Sequence, residues 1–195
     1  MKDFGKKYVA LLDVDGVLAD FLSPVIESMN KLIGVNIKSE DVTTWRIEDM
    51  YKKHDPDAAN IISDIIQQPG FCESLKMFPG ADEFVYGLSE KFDVYFVTSP
   101  WDSPTWVTER NIWISSHFGE EHVRKTVYTE NKHLVKGDVL IDDRYENCLH
   151  WQEAFPKSTS VLWTRPYNIQ YKPPGFRMKP DFKFALASIN YLLWQ

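Results

Sequence analysis

The sequence predicts an α/β protein: a doubly wound, mainly parallel sheet with a small helical cap inserted after the first strand. Three observations carry this. Short apolar runs without alternation recur along the chain, and each ends in polar residues. Amphipathic stretches lie between them, and one long interval, from Gly16 to Pro79, breaks the rhythm. Runs that lack a two-residue alternation read as strands covered on both faces, as in parallel sheets. Their alternation with helical stretches specifies a sheet wound with helices on both sides.

The strands are expected at Tyr8–Leu12, Val94–Val97, Thr126–Tyr128, Val139–Ile141 and Ser160–Trp163. The crossover helices are expected at Gly80–Glu90, Ser103–Phe118, Tyr145–Phe155 and Asp181–Leu193. Within the interruption, Phe21–Ile33 reads as a helix stopped by Gly34, and Asp57–Gln67 as another stopped by Pro69–Gly70. Residues 17–78 are therefore taken as the cap, and residues 1–16 with 79–195 as the catalytic body. The segment Tyr171–Lys183, with Pro173, Pro174 and Pro180, reads as an irregular surface crossing.

Composition narrows the function. A chain of 195 residues can bury one α/β core plus a modest insertion. The net charge of −6 gives no basic stripe for a long nucleic acid, while a local pocket for one phosphate remains allowed. Cys72 and Cys148 lie far apart and form neither a disulfide framework nor a zinc signature, which points to a reducing cytoplasm. The apolar run Tyr8–Leu12 ends at Asp13, too short for a signal peptide or a membrane span. The oligomeric state is left open, a homodimer included.

In an open α/β sheet, ligands bind beyond the carboxyl ends of the strands. The residues expected to converge there are Asp13, Asp15, Thr98, Ser99, Lys132, Asp142 and Asp143. Four carboxylates at such range raise one another's pKa, and a hard divalent cation with oxygen ligands, Mg2+, is the simplest remedy. The group suits phosphoryl transfer. One carboxylate can attack phosphorus and form an aspartyl-phosphate. A second, two residues later, can protonate the leaving oxygen and then deprotonate the hydrolytic water. Gly16 permits a tight backbone whose amides approach the phosphate. A Thr or Ser hydroxyl and a Lys ammonium supply donors to the phosphoryl oxygens.

These residues also carry a family resemblance. LLDVDGVLAD with Asp13, Asp15 and Gly16 resembles the first motif of the haloacid-dehalogenase superfamily; VTSP with Thr98 resembles the second, Lys132 the third, and IDDR with Asp142–Asp143 the fourth. Within it the chain is similar to the 5'(3')-deoxyribonucleotidases, in its D-G-V-L-A-D-F run, its T-S-P tripeptide and a lysine ten residues before the D-D pair. The resemblance implies a magnesium-dependent phosphomonoesterase acting on deoxyribonucleoside monophosphates through a phospho-aspartyl intermediate. It makes Asp13 the nucleophile and a metal ligand. Asp15 becomes the acid/base and lends its backbone carbonyl to the metal. Asp143 is the direct carboxylate ligand, with Asp142 in support. Phe21 matches a position lining the nucleoside site, and Trp45 an aromatic of the cap, although the cap departs from the family almost everywhere else.

Blander readings stand beside these. Asp13–Gly16 alone fits a turn, but a calcium loop fails on spacing: its glycine falls at position four rather than six, and Pro24 stands where a glutamate is needed. Lys136 rivals Lys132 by position, and Phe21 and Trp45 could be ordinary core residues. Lys172, Arg177, Lys179 and Lys183 read as a solvated loop. Thr164–Asn168 (TRPYN) resembles a segment that follows a sheet strand in bacterial and phage relatives, with no chemistry assigned. Alternative functions are the same chemistry on another small phosphomonoester such as a sugar phosphate, or a phosphate-binding regulatory module without turnover.

Overall fold

A computed structural model describes residues 7–192. Six strands form one sheet, all neighbouring pairs parallel: β1 (Tyr8–Leu12), β4 (Phe92–Thr98), β5 (Thr126–Tyr128), β6 (Val139–Asp142), β7 (Thr159–Trp163) and β8 (Phe176–Met178). Their spatial order is β5-β4-β1-β6-β7-β8. The chain winds outward from β1 through β4 to β5, then crosses back to β6 on the other side of β1. The winding reverses at β1, where a doubly wound sheet opens its ligand crevice. Both neighbours are in step there: Leu12 pairs with Phe96 on β4 and with Ile141 on β6.

The absence of alternation in these strands has a plain cause. Ala10 and Leu12 pack with Phe96, Ile141 and Trp163 on one face, while Leu11 packs with Val97, Leu140 and Trp151 on the other. The covering helices are α4 (Ala81–Ser89), α5 (Trp106–Phe118), the short α6 (Glu120–Arg124), α7 (Tyr145–Ala154) and α8 (Phe182–Leu192). The expected end of the last helix, Leu193, lies outside the described residues, as do the ends of the 1–16 and 79–195 segments.

Two expectations need correction. Tyr171–Lys183 is not wholly irregular: Phe176–Met178 pairs in parallel with β7 and forms the sheet's edge. The interruption also holds two strands, β2 (Ala19–Asp20) and β3 (Lys76–Met77), which pair antiparallel. Strands of two residues carry no readable period. They bring the start and end of the excursion side by side, and the Phe78 amide donates to the Leu18 carbonyl at 2.8 Å.

Between β2 and β3 lie α1 (Leu22–Ile33), α2 (Glu48–Tyr51) and α3 (Ala58–Ile66). Helix α1 stops at Gly34, whose φ of +75° continues no helix and whose amide caps the Asn30 carbonyl. These helices bury their own apolar cluster, including Val25, Met29, Tyr51 and Ile62. Two residues of the surrounding body, Trp106 and Tyr167, complete that cluster. Among the described residues, no helix is long and apolar enough to cross a membrane.

Candidate active site

The register delivers three strand ends to one place. Asp13 follows β1, Thr98 closes β4, and Asp142 closes β6 with Asp143 next to it; the Asp13 amide donates to the Ile141 carbonyl at 2.9 Å and fixes the two acidic ends together. Asp13, Asp142 and Asp143 are all buried, and each can offer an oxygen within 4.8 Å of the others.

Lys132 resolves part of this charge. It sits in a short helical turn, Lys132–Leu134, and its buried ammonium lies 2.7 Å from Asp13 Oδ1 and 2.7 Å from Asp142 Oδ2. Burial alone would lower its pKa, but the two carboxylates outweigh that and push it up, holding the ammonium charged. Lys136, its rival in the sequence, is exposed. The Val14 amide also reaches Asp13 Oδ1, so both hydrogen-bonding contacts to this carboxylate arrive at one oxygen. Asp142 is further engaged by Asn147 Nδ2 at 3.1–3.2 Å and by the Arg144 amide at 2.8 Å.

Asp143 is different. It is buried, no cation pairs with it among the described residues, and its Oδ1 has no hydrogen-bond partner. Its Oδ2 accepts from the Tyr167 hydroxyl. Burial and neighbouring Asp142 push its carboxyl up to about 7, against the Tyr167 hydrogen bond and Arg165. Burial raises Asp13 well above the usual carboxylate range too, with Asp142 and Asp143 adding to the effect and Lys132 opposing it. Two acidic groups so held are short of positive charge. An orphaned buried carboxylate oxygen beside a second carboxylate is a donor set that fits a hard divalent cation.

Gly16 has a task its motif does not advertise. Its own amide donates to the Ala19 carbonyl at 2.9 Å, within the turn that follows Asp15. Its φ is +75°, and a Cβ there would stand 1.9 Å from Asp143 Oδ2 and 3.0 Å from the Tyr167 hydroxyl. Glycine is needed so that the Asp143 carboxylate can lie against the backbone.

Asp15 is held from helix α5. Arg110, fully buried, donates through Nη2 to Asp15 Oδ1 at 2.6 Å. Its guanidinium carbon lies 5.3 Å from the Trp106 ring centre and 5.2 Å from that of Trp113. The preceding residue, Glu109, accepts the Gly70 amide at 2.8 Å and the Cys72 amide at 3.0 Å, tying the end of the excursion to the same helix.

The remaining expected residues divide. Thr98 is buried at the site, with a hydroxyl that has no partner among the described residues. Ser99 lies beside it, its hydroxyl donating to the Thr129 carbonyl at 3.3 Å. Phe21 belongs to an aromatic group with Phe71, Trp101 and Trp106, stacked on Trp101 at 5.3 Å. Trp45 belongs to another: its ring meets Tyr167 edge-on at 5.5 Å and the Arg144 guanidinium at 5.1 Å.

Sequence reasoning missed Glu109, Arg110, Trp101 and Tyr167. The first two carried a signal, since they fall between Trp106 and Trp113 at the spacing of one helix face. Tyr167 lies in the TRPYN segment, which stood out without a role.

Comparison with known proteins decides the family. The model of the family described as 5' nucleotidase, deoxy (pyrimidine), cytosolic type C protein (NT5C) matches residues 7–174. The chain belongs to this nucleotidase family. It is thereby a phosphoric monoester hydrolase, and its fold is that of haloacid dehalogenase-like hydrolases. The human protein named 5'(3')-deoxyribonucleotidase, cytosolic type, is 29% identical over 174 residues, covering 87% of this chain and 86% of its own. A Staphylococcus aureus (strain Mu50) protein, provisionally named a 5'(3')-deoxyribonucleotidase, is 32% identical over 164 residues, covering 84% and 86%. Among solved structures, a haloacid dehalogenase-like hydrolase from Streptococcus pneumoniae superposes with a TM-score of 0.61 at 15% identity, over 95% of this chain and 98% of its own. A hydrolase of that type from Bacillus subtilis, solved bound to magnesium, gives 0.59 at 13% identity, over 95% and 100%. In this nucleotidase the buried carboxylates gathered at the strand ends are Asp13, Asp142 and Asp143, and the lysine among them is Lys132.

Proposed function

We propose that the chain hydrolyses deoxyribonucleoside monophosphates to the deoxyribonucleoside and inorganic phosphate, in a magnesium-dependent reaction with Asp13 as nucleophile. The observation that carries this is Asp143, a buried carboxylate beside Asp13 that among the described residues has no ion pair and one oxygen lacking a donor. Asp13, Asp143 and the backbone carbonyl of Asp15 would hold Mg2+. When bound, the ion supplies positive charge to the phosphate oxygens and allows both carboxylates to be ionised together.

The chain's own groups account for the rest. Asp13 attacks phosphorus as the bond to the ester oxygen breaks, and that oxygen leaves with a proton from Asp15. This forms an aspartyl-phosphate on Asp13. Asp15 then takes a proton from water, whose oxygen attacks the same phosphorus, releasing phosphate and restoring Asp13. Lys132 stays charged throughout and screens the carboxylates from the incoming anion. The Thr98 hydroxyl, buried and unpartnered among the described residues, offers a donor to a phosphoryl oxygen, with Ser99 beside it and Gly16 keeping the loop close.

Residues 17–78 act as the cap that meets the nucleoside, with Phe21 and Trp45 forming parts of its wall. An apolar wall beside C2' tolerates hydrogen and offers a hydroxyl no partner, a cost of about 1–3 kcal/mol, or roughly tenfold to a hundredfold in kcat/KM. The buried free thiols of Cys72 and Cys148 support a reducing, cytoplasmic setting. The test is phosphate release from dUMP, UMP and a set of sugar phosphates, with and without Mg2+. The expected result is magnesium-dependent release favouring dUMP. Equal kcat/KM for dUMP and UMP would remove the deoxyribonucleotide reading, and release unchanged by chelation would remove the metal.

A further inference from the structure

The segment after β7 runs Thr164–Asn168, and the mechanism above uses none of it. Two of its side chains are nevertheless aimed at one residue. The Tyr167 hydroxyl donates to Asp143 Oδ2, and Asn168 Nδ2 donates to the Asp143 carbonyl at 2.8 Å. Asn168 is itself locked, donating to the Trp163 carbonyl at 2.8 Å and accepting from Arg177 on β8 at 3.2 Å. Asp143 is thus gripped at its backbone and at one carboxylate oxygen, leaving the other oxygen buried and bare. The other face of Tyr167's role lies in the excursion. Its ring belongs to the apolar cluster of α1, α2 and α3 and meets Trp45 edge-on. Alongside it, Gln170 reaches the Thr43 carbonyl at 3.4 Å.

We propose that Tyr167 is a positioning residue for Asp143: its hydroxyl holds Oδ2 so that Oδ1 faces the metal, and its contact with Trp45 makes metal affinity depend on how the α1–α3 segment is seated. A carboxylate pinned through one oxygen presents the other without a rotational search. Partners of this kind are typically worth about tenfold to a hundredfold in metal affinity. The inference rests on the magnesium-dependent reading above.

The experiment is a calorimetric titration of Mg2+ into the substrate-free protein, paired with the Mg2+ dependence of phosphate release. Tyr167→Phe keeps the ring in its cluster and removes only the donor. It is expected to weaken Mg2+ binding about tenfold and to raise the half-saturating Mg2+ concentration equally, with most of kcat recovered at saturation. Trp45→Leu touches no carboxylate and is expected to shift Mg2+ affinity the same way by a smaller factor. It also decides the matter should Tyr167→Phe not fold. A role confined to packing would lower the melting temperature and leave the Mg2+ affinity unmoved. Magnesium-dependent wild-type protein with unchanged affinity in either variant overturns the proposal alone. A wild-type protein that neither binds nor needs Mg2+ overturns the metal reading and this proposal with it.

Discussion

Arg110 donates to Asp15 at 2.6 Å from a position of complete burial, between the rings of Trp106 and Trp113. Helix α5 thereby aims the proposed acid/base group from behind. Arg110→Met should release Asp15 to other rotamers and slow turnover, by less than the ~10²–10⁴-fold that a positioned acid/base group supplies. Dephosphorylation of nitrophenyl phosphate, whose leaving group needs little protonation, should suffer less than that of dUMP. Equal losses on the two substrates would mean that Arg110 does not act through Asp15.

Asp13→Asn should abolish phosphate release with little change in melting temperature. An amide is a poor nucleophile, yet its oxygen can still accept from Val14, and Lys132 keeps Asp142 as a partner. Residual turnover above a few per cent would point to another nucleophile.

Lys132→Met should cost both stability and activity. Two buried carboxylates would lose their shared cation, and breaking a buried pair costs about 3–5 kcal/mol. Removing one such donor lowers kcat by about 10²-fold or more. Lys136→Met, at an exposed position, should change neither. Denaturant unfolding and phosphate release on both variants check this.

Gly16 and Gly34 share a φ of +75°, but only Gly16 faces neighbours within 4 Å. Alanine at either should cost about 1–2 kcal/mol for the left-handed backbone. Gly16→Ala must also displace the Asp143 carboxylate, so its activity should collapse while Gly34→Ala stays active. Comparable activity in the two variants would detach Gly16 from the site.

Glu109 supplies a pH test. Burial alone would raise its pKa, but hydrogen bonds from Thr105 and the Gly70, Cys72 and Glu73 amides outweigh that and hold it below the usual glutamate range. A carboxyl depressed in the folded state contributes stability above its unfolded pKa, and loses it as pH falls through the folded value. The melting temperature of Glu109→Gln should lie below that of wild type at pH 7, with a gap equivalent to about 2 kcal/mol. The gap should shrink as pH falls below the unfolded pKa of about 4.3. A gap constant from pH 7 to pH 3 would assign the loss to shape alone.

The sheet was legible because parallel strands are covered twice: Leu11 and Leu12 both read as apolar because both are buried, on opposite faces. Asp13, Thr98 and Asp142 were legible because each ends such a run. Phe176–Met178 was hidden among prolines and lysines, and an edge strand of three residues needs only one ladder. Arg110 and Glu109 were hidden for another reason. Charged residues are ordinarily read as solvent-facing, whereas these two occupy the buried face of α5. Tyr167 could not be read as a partner of Asp143, because only the path of the chain after β7 brings the two together.

The antiparallel pairing of β2 with β3 has a last consequence. Because the excursion departs and returns through adjoining residues, the sheet does not register how long the detour is or what it contains. The stretch between Asp20 and Lys76 meets the body at identifiable sockets, among them the Trp101–Trp106 rings, the Glu109 carboxylate, the Trp113 indole, Arg144, the Tyr167 ring and Gln170. The molecule is built like a tool with an exchangeable head. A graft that preserves those fittings could swap the substrate while the strand-end chemistry beneath it stays as it is.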